Sequence, residues 1–116
     1  MGRLSRRGDR VTKRFEIVWV NLDPTIGKEI KKTRPCVVLS PNELNDNLDT
    51  LIVVPLTSTI KNWPFRMDIT VNKKKSSMAF DQIRTVSKAR VGKNIGILPT
   101  NDQQKALNIL QVMFAD

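Results

Sequence analysis

Phe15-Glu16-Ile17-Val18-Trp19-Val20-Asn21-Leu22 runs directly into Asp23-Pro24, and beyond a polar loop comes Pro35-Cys36-Val37-Val38-Leu39-Ser40-Pro41. The first run is rich in β-branched and aromatic residues in rough period-two alternation, which reads as a strand that Asp23-Pro24 ends. The second is apolar without alternation, the signature of a buried strand, and its proline stands at the start, where no ladder donor is lost. Outward from this pair, residues 42–49 are polar enough for a connection holding one helical turn, and Thr50 to Leu56 forms another buried strand. Trp63-Pro64 interrupts, Phe65 to Val71 alternates as a strand with one exposed face, and Asn72-Lys73-Lys74-Lys75-Ser76 reads as a polar turn. Ala79 to Val86 is the fifth expected strand and Ile95 to Leu98 a short sixth, with Met78 and Phe80 in the core.

The period then changes. Ala106, Leu107, Ile109, Leu110, Met113 and Phe114 recur at helical spacing, with Thr100 or Asn101 as the expected cap. Short strands followed by one amphipathic helix describe a mainly β fold, a small barrel or strongly bent sheet with a C-terminal helix packed on it. A chain of 116 residues suits one core of ordinary size. Residues 15–116 form the expected domain. Residues 1–14, where Arg3, Arg6, Arg7, Arg10, Lys13 and Arg14 face only Asp9, form an expected basic, flexible arm, either nucleic-acid-touching or merely solubilising.

With 20 Lys+Arg against 11 Asp+Glu the formal charge is +9, which calls for a polyanionic partner, and nucleic acid is the first choice. No apolar stretch approaches the ~20 residues of a membrane span, and the first residues lack the apolar stretch of a signal peptide. A cytoplasmic protein without membrane contact is expected. One cysteine, Cys36, excludes an intramolecular disulfide framework; the absence of histidine removes the usual zinc constellations, Ser-His-Asp triads and paired-histidine RNA cleavage. Carboxylates, Arg, Lys, Thr and Ser remain for any chemistry.

Among these, the loop Thr25 to Arg34 gathers Lys28, Lys31, Lys32 and Arg34 around Glu29. Lysine supplies point charge and arginine a planar fork that matches phosphate oxygens, although such a loop is also what a solvated surface looks like. Arg34 stands apart because Pro35 and a buried strand fix its backbone while its head can reach a cleft. Thr57 and Ser58 end another buried strand. Trp63 and Phe65 flank Pro64, placed either to stack on a base or to plug the core.

Several segments, taken together and in order, resemble the MazF/PemK/Kid family of bacterial toxins, sequence-selective endoribonucleases called mRNA interferases. They are Ile17-Val18-Trp19-Val20-Asn21-Leu22-Asp23-Pro24-Thr25, Gly27-Lys28-Glu29, Lys32-Thr33-Arg34-Pro35-Cys36-Val37-Val38-Leu39-Ser40-Pro41, Val54-Pro55-Leu56-Thr57-Ser58, Trp63-Pro64-Phe65, and Asp81-Gln82-Ile83-Arg84-Thr85-Val86 with Lys88, Ala89 and Arg90. Two positions depart from the family pattern: Phe15 stands where glycine is usual, and Lys28 where serine or histidine is frequent. The resemblance implies an SH3-like barrel, a homodimer, and a nuclease without metal or other cofactor that cuts single-stranded RNA, mRNA above all, and is silenced by a cognate acidic antitoxin. It also implies Arg34 and Thr57 as catalytic residues, Glu29 as a candidate base, and Asp81, Gln82 and Arg84 beside the RNA. Lys28, Lys31, Lys32, Thr33, Ser58, Trp63 and Phe65 complete the expected RNA-binding surface. In transesterification by the 2′-hydroxyl, Arg34 suits charge stabilisation better than proton donation, Thr57 suits hydrogen-bond donation to a phosphate oxygen, and the lysines around Glu29 oppose its use as a base. Two readings compete: a CcdB-like gyrase poison without nuclease activity, and a non-catalytic barrel that binds single-stranded RNA.

Overall fold

The computed structural model describes residues 11–115. The chain runs β1 (Glu16–Asn21), β2 (Thr33–Val38), α1 (Asn42–Asn47), β3 (Thr50–Thr57), β4 (Arg66–Val71), β5 (Lys74–Ala79), β6 (Arg84–Ser87), β7 (Val91–Ile97) and α2 (Thr100–Met113), with 3-10 turns at Phe80–Gln82 and Lys88–Arg90. Strands are ordered β4-β5-β3-β2-β1-β7, β6 also pairs with β3, and every pairing is antiparallel. The sheet curls into a half-barrel.

One edge of β3 is shared between two partners. Thr50 to Val53 pair with Ser87 to Arg84 of β6, whereas Leu56 and Thr57 pair with Met78 and Ser77 of β5. Pro55, which has no N–H to give, stands between the two pairings. The 3-10 turn Phe80–Gln82 therefore spans the place where β3 exchanges one neighbour for the other.

The central strands bury both faces, which is why Cys36 to Leu39 is apolar without alternation. Val18, Val20, Leu22, Cys36, Val38, Leu51, Val53 and Val86 fill one side. Ile17, Val37, Leu39, Val54, Leu56, Met78 and Phe80 fill the other, where Leu98 and Ala106 close over them and Ile109, Leu110 and Met113 of α2 pack against them. At about 1.5–3 kcal/mol for each buried branched or aromatic side chain, these two clusters supply the main stabilisation.

Four elements differ from the sequence reading, the simplest being the last strand, which starts at Val91 instead of Ile95 and ends at Ile97. The hairpin turn is only Asn72-Lys73, both at positive φ (50° and 66°), so Lys74 to Ser76 join the ladder of β5 opposite Val71 to Ile69. The single strand expected over Ala79 to Val86 is broken at Phe80–Gln82, because its two halves pair with different parts of β3. Helix α2 has Pro99 as its N-cap with no side-chain cap; neither Thr100 nor Asn101 caps it, and Gln103 closes the end by donating its amide to Pro99 O (2.9 Å) and its Nε2 to Leu98 O (2.7 Å). Of the expected arm, residues 1–10 lie outside the described residues; Thr12 is buried, and the Arg14 amide donates to Asn42 Oδ1 at 2.8 Å.

A buried polar knot ties α1 to the sheet. Asn45 accepts from Ser40 Oγ and donates to Ser40 O at 2.9 Å, while Ser40 Oγ accepts the Ile52 amide at 3.0 Å and Lys88 Nζ donates to the Asn45 carbonyl. Asn45 and Ser40 are 2% and 3% exposed, so water cannot replace a lost partner without rearrangement. Asn45→Ala is expected to destabilise the fold by about 1–3 kcal/mol and to lower the thermal midpoint by roughly 5–15 °C. In Ser40→Ala the same substitution is expected to cost less, and equal costs in both backgrounds, measured by thermal unfolding, would show that the knot does not act as a unit.

Candidate functional site

The loop 22–32 between β1 and β2 is held from inside. Leu22 N donates to Lys32 O (2.9 Å), Lys32 N to Asp23 Oδ1 (3.0 Å) and Ile26 N to Glu29 Oε1 (2.6 Å). It is also pinned from outside. Gln82 Oε1 accepts the Ile30 amide (2.6 Å), Arg84 Nη1 donates to Leu22 O (3.2 Å), and Arg90 Nη1 donates to the carbonyls of Asn21 and Asp23. Gly27 and Lys32 take positive φ (63° and 69°) to let the loop turn back. Lys31 contributes its carbonyl, which accepts Arg34 Nε at 3.2 Å and orients the guanidinium.

Arg34 and Thr57 leave adjacent strands on the same surface and line one concavity of about 410 Å³ together with Trp19, Thr33, Ser58, Lys74 and Lys75. Thr57 Oγ1 accepts the Thr59 amide at 3.1 Å, which fixes the hydroxyl and leaves its proton to be donated. Lys74 and Lys75 join the lining, carried there by the β4–β5 hairpin; Lys75 lies 3.7 Å from Asp68 in a solvated pair. Beneath, the Cys36 thiol faces Arg34 O at 3.7 Å, and burial pushes its pKa up to about 12 despite the opposing charge of Arg84. It remains a thiol at neutral pH and carries no nucleophilic chemistry.

Thr57 also lines a second, wider concavity of about 580 Å³ with Lys28, Lys61, Trp63, Arg66 and Gln82. Gln82 leads into a third, small one with Glu29, Pro55, Asp81 and Arg84. The second shares Thr57 with the first and Ile30 and Gln82 with the third, so the three adjoin as one groove along the fork in β3. Among the expected residues, the groove gathers Lys28, Glu29, Thr33, Arg34, Thr57, Ser58, Trp63, Asp81, Gln82 and Arg84. Lys31, Lys32 and Phe65 do not line these concavities. Phe65 adopts φ 61° and accepts the Phe80 amide with its carbonyl, shaping the turn before β4. Glu29 spends Oε1 on the Ile26 amide and lines a different concavity from Arg34, so the geometry makes it a loop organiser first.

Arg66 is, with Trp19, Lys61, Lys74 and Lys75, among the lining residues that sequence reasoning missed. It grips Asp81 with two hydrogen bonds, Nε to Oδ1 (2.6 Å) and Nη2 to Oδ2 (3.0 Å), with its side chain 5% exposed. Those bonds hold the Asp81 carboxyl below the usual carboxylate range against the opposing effect of burial, and they raise Arg66. The pair is thus charged at neutral pH, and its contribution to stability falls away only as acid protonates Asp81 below its ordinary pKa. Arg66 also lies over the Trp63 ring, 4.7 Å from its centroid, and Lys61 Nζ approaches the same ring at 4.6 Å. The pairing of Arg66 opposite Ala79, two residues before Asp81, is a register fact that local sequence does not contain.

The profile describing PemK-like, MazF-like toxins of type II toxin-antitoxin systems matches residues 13–114. The endoribonuclease PemK of Escherichia coli is 32% identical over 117 residues, covering 96% of this chain and 87% of that protein. The endoribonuclease toxin MazF of E. coli K12 is 32% identical over 72 residues, and the match spans 65% of its length, just under two thirds. Crystal structures of Deinococcus radiodurans MazF superimpose with TM-scores of 0.80 alone (24% identity, 90% of this chain, 97% of that one) and 0.75 in a MazE-MazF crystal (21% identity, 92% and 98%), a likeness of fold. With the half-barrel, the helix and the order of sequence segments all in agreement, the chain belongs to the PemK-like, MazF-like toxin family of type II toxin-antitoxin systems.

Proposed function

We propose that the groove binds single-stranded RNA, mRNA above all, and cleaves it by attack of the 2′-hydroxyl on the adjacent phosphorus, as the toxin of a toxin-antitoxin pair in the bacterial cytoplasm. The observation that carries this reading is the convergence of Arg34 and Thr57 from two strand ends on one concavity that Lys74 also lines. Phosphate binding draws on the lysines as point charges. Arg34, oriented by the Lys31 carbonyl, stabilises the extra charge that builds on the phosphoryl oxygens, and Thr57 donates its proton to one of them. As the 2′-oxygen bonds to phosphorus, the P–O5′ bond breaks, leaving a 2′,3′-cyclic phosphate and a 5′-hydroxyl. The residues lining the Arg34 concavity include no carboxylate among those described, so the 2′-proton passes to water and the leaving oxygen takes one from it. These side chains supply the charge stabilisation without a metal or other cofactor.

The relatives named as endoribonucleases favour this reading over a gyrase poison. An acidic, partly disordered antitoxin is the physical complement of a basic groove. The exposed Val112 and Phe114 at the end of α2 leave apolar surface for a second copy, and a solution mass of twice the 13.2 kDa chain is expected at micromolar concentration; a mass of one chain removes the dimer.

Incubated with a long single-stranded RNA in excess EDTA, the protein is expected to cut at a repeated short sequence, leaving the two end groups named above. Arg34→Ala is expected to lower cleavage by about 10²- to 10³-fold while weakening binding of a single-stranded DNA oligonucleotide by about tenfold or less. Intact RNA with undiminished binding would establish the non-catalytic barrel instead. For Glu29, the amide-accepting role predicts that Glu29→Gln, which keeps the acceptor, retains more cleavage than Glu29→Ala; equal losses in the two would assign the negative charge itself to the reaction.

A further inference from the structure

Trp63 is 51% exposed in the middle of the groove, at the tip of the connection between β3 and β4, yet it is not loose. Its ring rests against the Arg66 guanidinium, and Arg66 is immobilised by the two-point grip of Asp81 with its side chain almost wholly buried. The other cation at the ring, Lys61, is an exposed residue on a four-carbon stem with nothing comparable holding it. One cation at the ring is therefore fixed and the other exchangeable. A tryptophan plane held by one fixed cation and touched by a replaceable lysine suits a flat ligand that brings its own negative charge for the displaced ammonium: a nucleobase attached to a phosphate.

We propose that Trp63 is a stacking platform for one unpaired base of the strand held in the groove, that this base displaces Lys61 toward a neighbouring phosphate, and that Asp81 is a positioning residue that acts through Arg66 on the ring. The inference rests on the reading of the groove as a path for single-stranded RNA and deepens it. It changes the meaning of Asp81: a carboxylate facing a polyanion would repel it, but a carboxylate consumed in a fork with Arg66 serves to hold an aromatic plane. It also separates two kinds of contact in one groove. Stacking is indifferent to ionic strength, whereas each phosphate contact adds to the salt dependence of binding.

The test uses a single-stranded DNA 12-mer, which lacks the 2′-hydroxyl and stays intact, bound to the full chain at several salt concentrations. Trp63→Ala is expected to weaken binding by about 5- to 100-fold with an unchanged slope of log affinity against log salt, and Trp63→Phe to recover most of the loss. Lys61→Ala is expected to reduce the slope by about 0.7, the mark of one lost phosphate contact. Asp81→Asn is expected to weaken binding in the wild-type background and to add little in Trp63→Ala, since its effect passes through the ring. In a Trp19→Phe background, where Trp63 is the only tryptophan, the oligonucleotide is expected to quench emission, and Asp81→Asn to alter both the emission and the quenching. Wild-type affinity in Trp63→Ala, or equal losses from Asp81→Asn in both backgrounds, would overturn the proposal while leaving cleavage at Arg34 untouched. A wild-type protein that neither binds the 12-mer nor cuts RNA would remove the underlying reading as well.

Discussion

The fork in β3 is the constraint on which the rest of the molecule depends. A strand edge can satisfy only one neighbour at each residue, and β3 gives its first half to β6 and its end to β5. Pro55, with no amide to offer, stands at the point of exchange. The chain crossing from β5 to β6 must bridge that point, and it does so with the 3-10 turn that carries Asp81 and Gln82. From there Asp81 reaches Arg66 and Gln82 reaches Ile30, so one topological event positions the aromatic plane and the loop before β2 together. Thr57 is the last residue of the strand that forks. The groove is the surface trace of this division.

Charge in the groove is divided by what the cations already hold. Arg84 and Arg90 donate to loop carbonyls, and Arg66 is committed to Asp81. Lys28, Lys61 and Lys74 sit on exposed stretches and reach the groove as flexible point charges. Arg34 lies between these classes: its Nε is held by Lys31 O while its side chain lines the concavity it shares with Thr57. That is the arrangement charge stabilisation needs, because a donor aimed beforehand costs no reorganisation when charge develops. Lysines that move freely give affinity along a polyanion but not aim.

How much of this was legible in the sequence follows from which features are local. β1, β2, β3 and β4 declare themselves through β-branched runs bounded by proline and asparagine, and α2 through its period. Lys74 to Ser76 did not, since a strand that opens with four polar residues looks like a turn until its partner Ile69 to Val71 is known. Nor did the break at Phe80: its neighbours continue an apolar pattern, and only the sharing of β3 splits them. Arg34 and Thr57 were legible because each follows or precedes a buried strand and because the family resemblance covers both. Arg66, Lys74 and Lys75 were not, because a hairpin folding back through long-range pairing carries them to the site. Lys31 and Lys32 belonged to the right loop, but the turn at Lys32 leaves only the Lys31 backbone acting on Arg34.

Selectivity among RNA sequences asks for more than this electrostatic track, since phosphate contacts position a strand without reading it. The 2.6 Å bond from the Ile30 amide commits the Gln82 oxygen and so fixes which end of the side-chain amide is the donor. Its nitrogen is then a donor of fixed identity where two concavities of the groove meet, one residue from the carboxylate that braces Arg66. Any group that meets a donor locked in this way gains a bond if it is an acceptor and is left unpaired if it is a donor, an asymmetry that costs about 1–3 kcal/mol. The bond that fastens the loop to the barrel is thus also the bond that fixes the Gln82 amide, so the loop's order and the polar character of this part of the groove rest on the same contact.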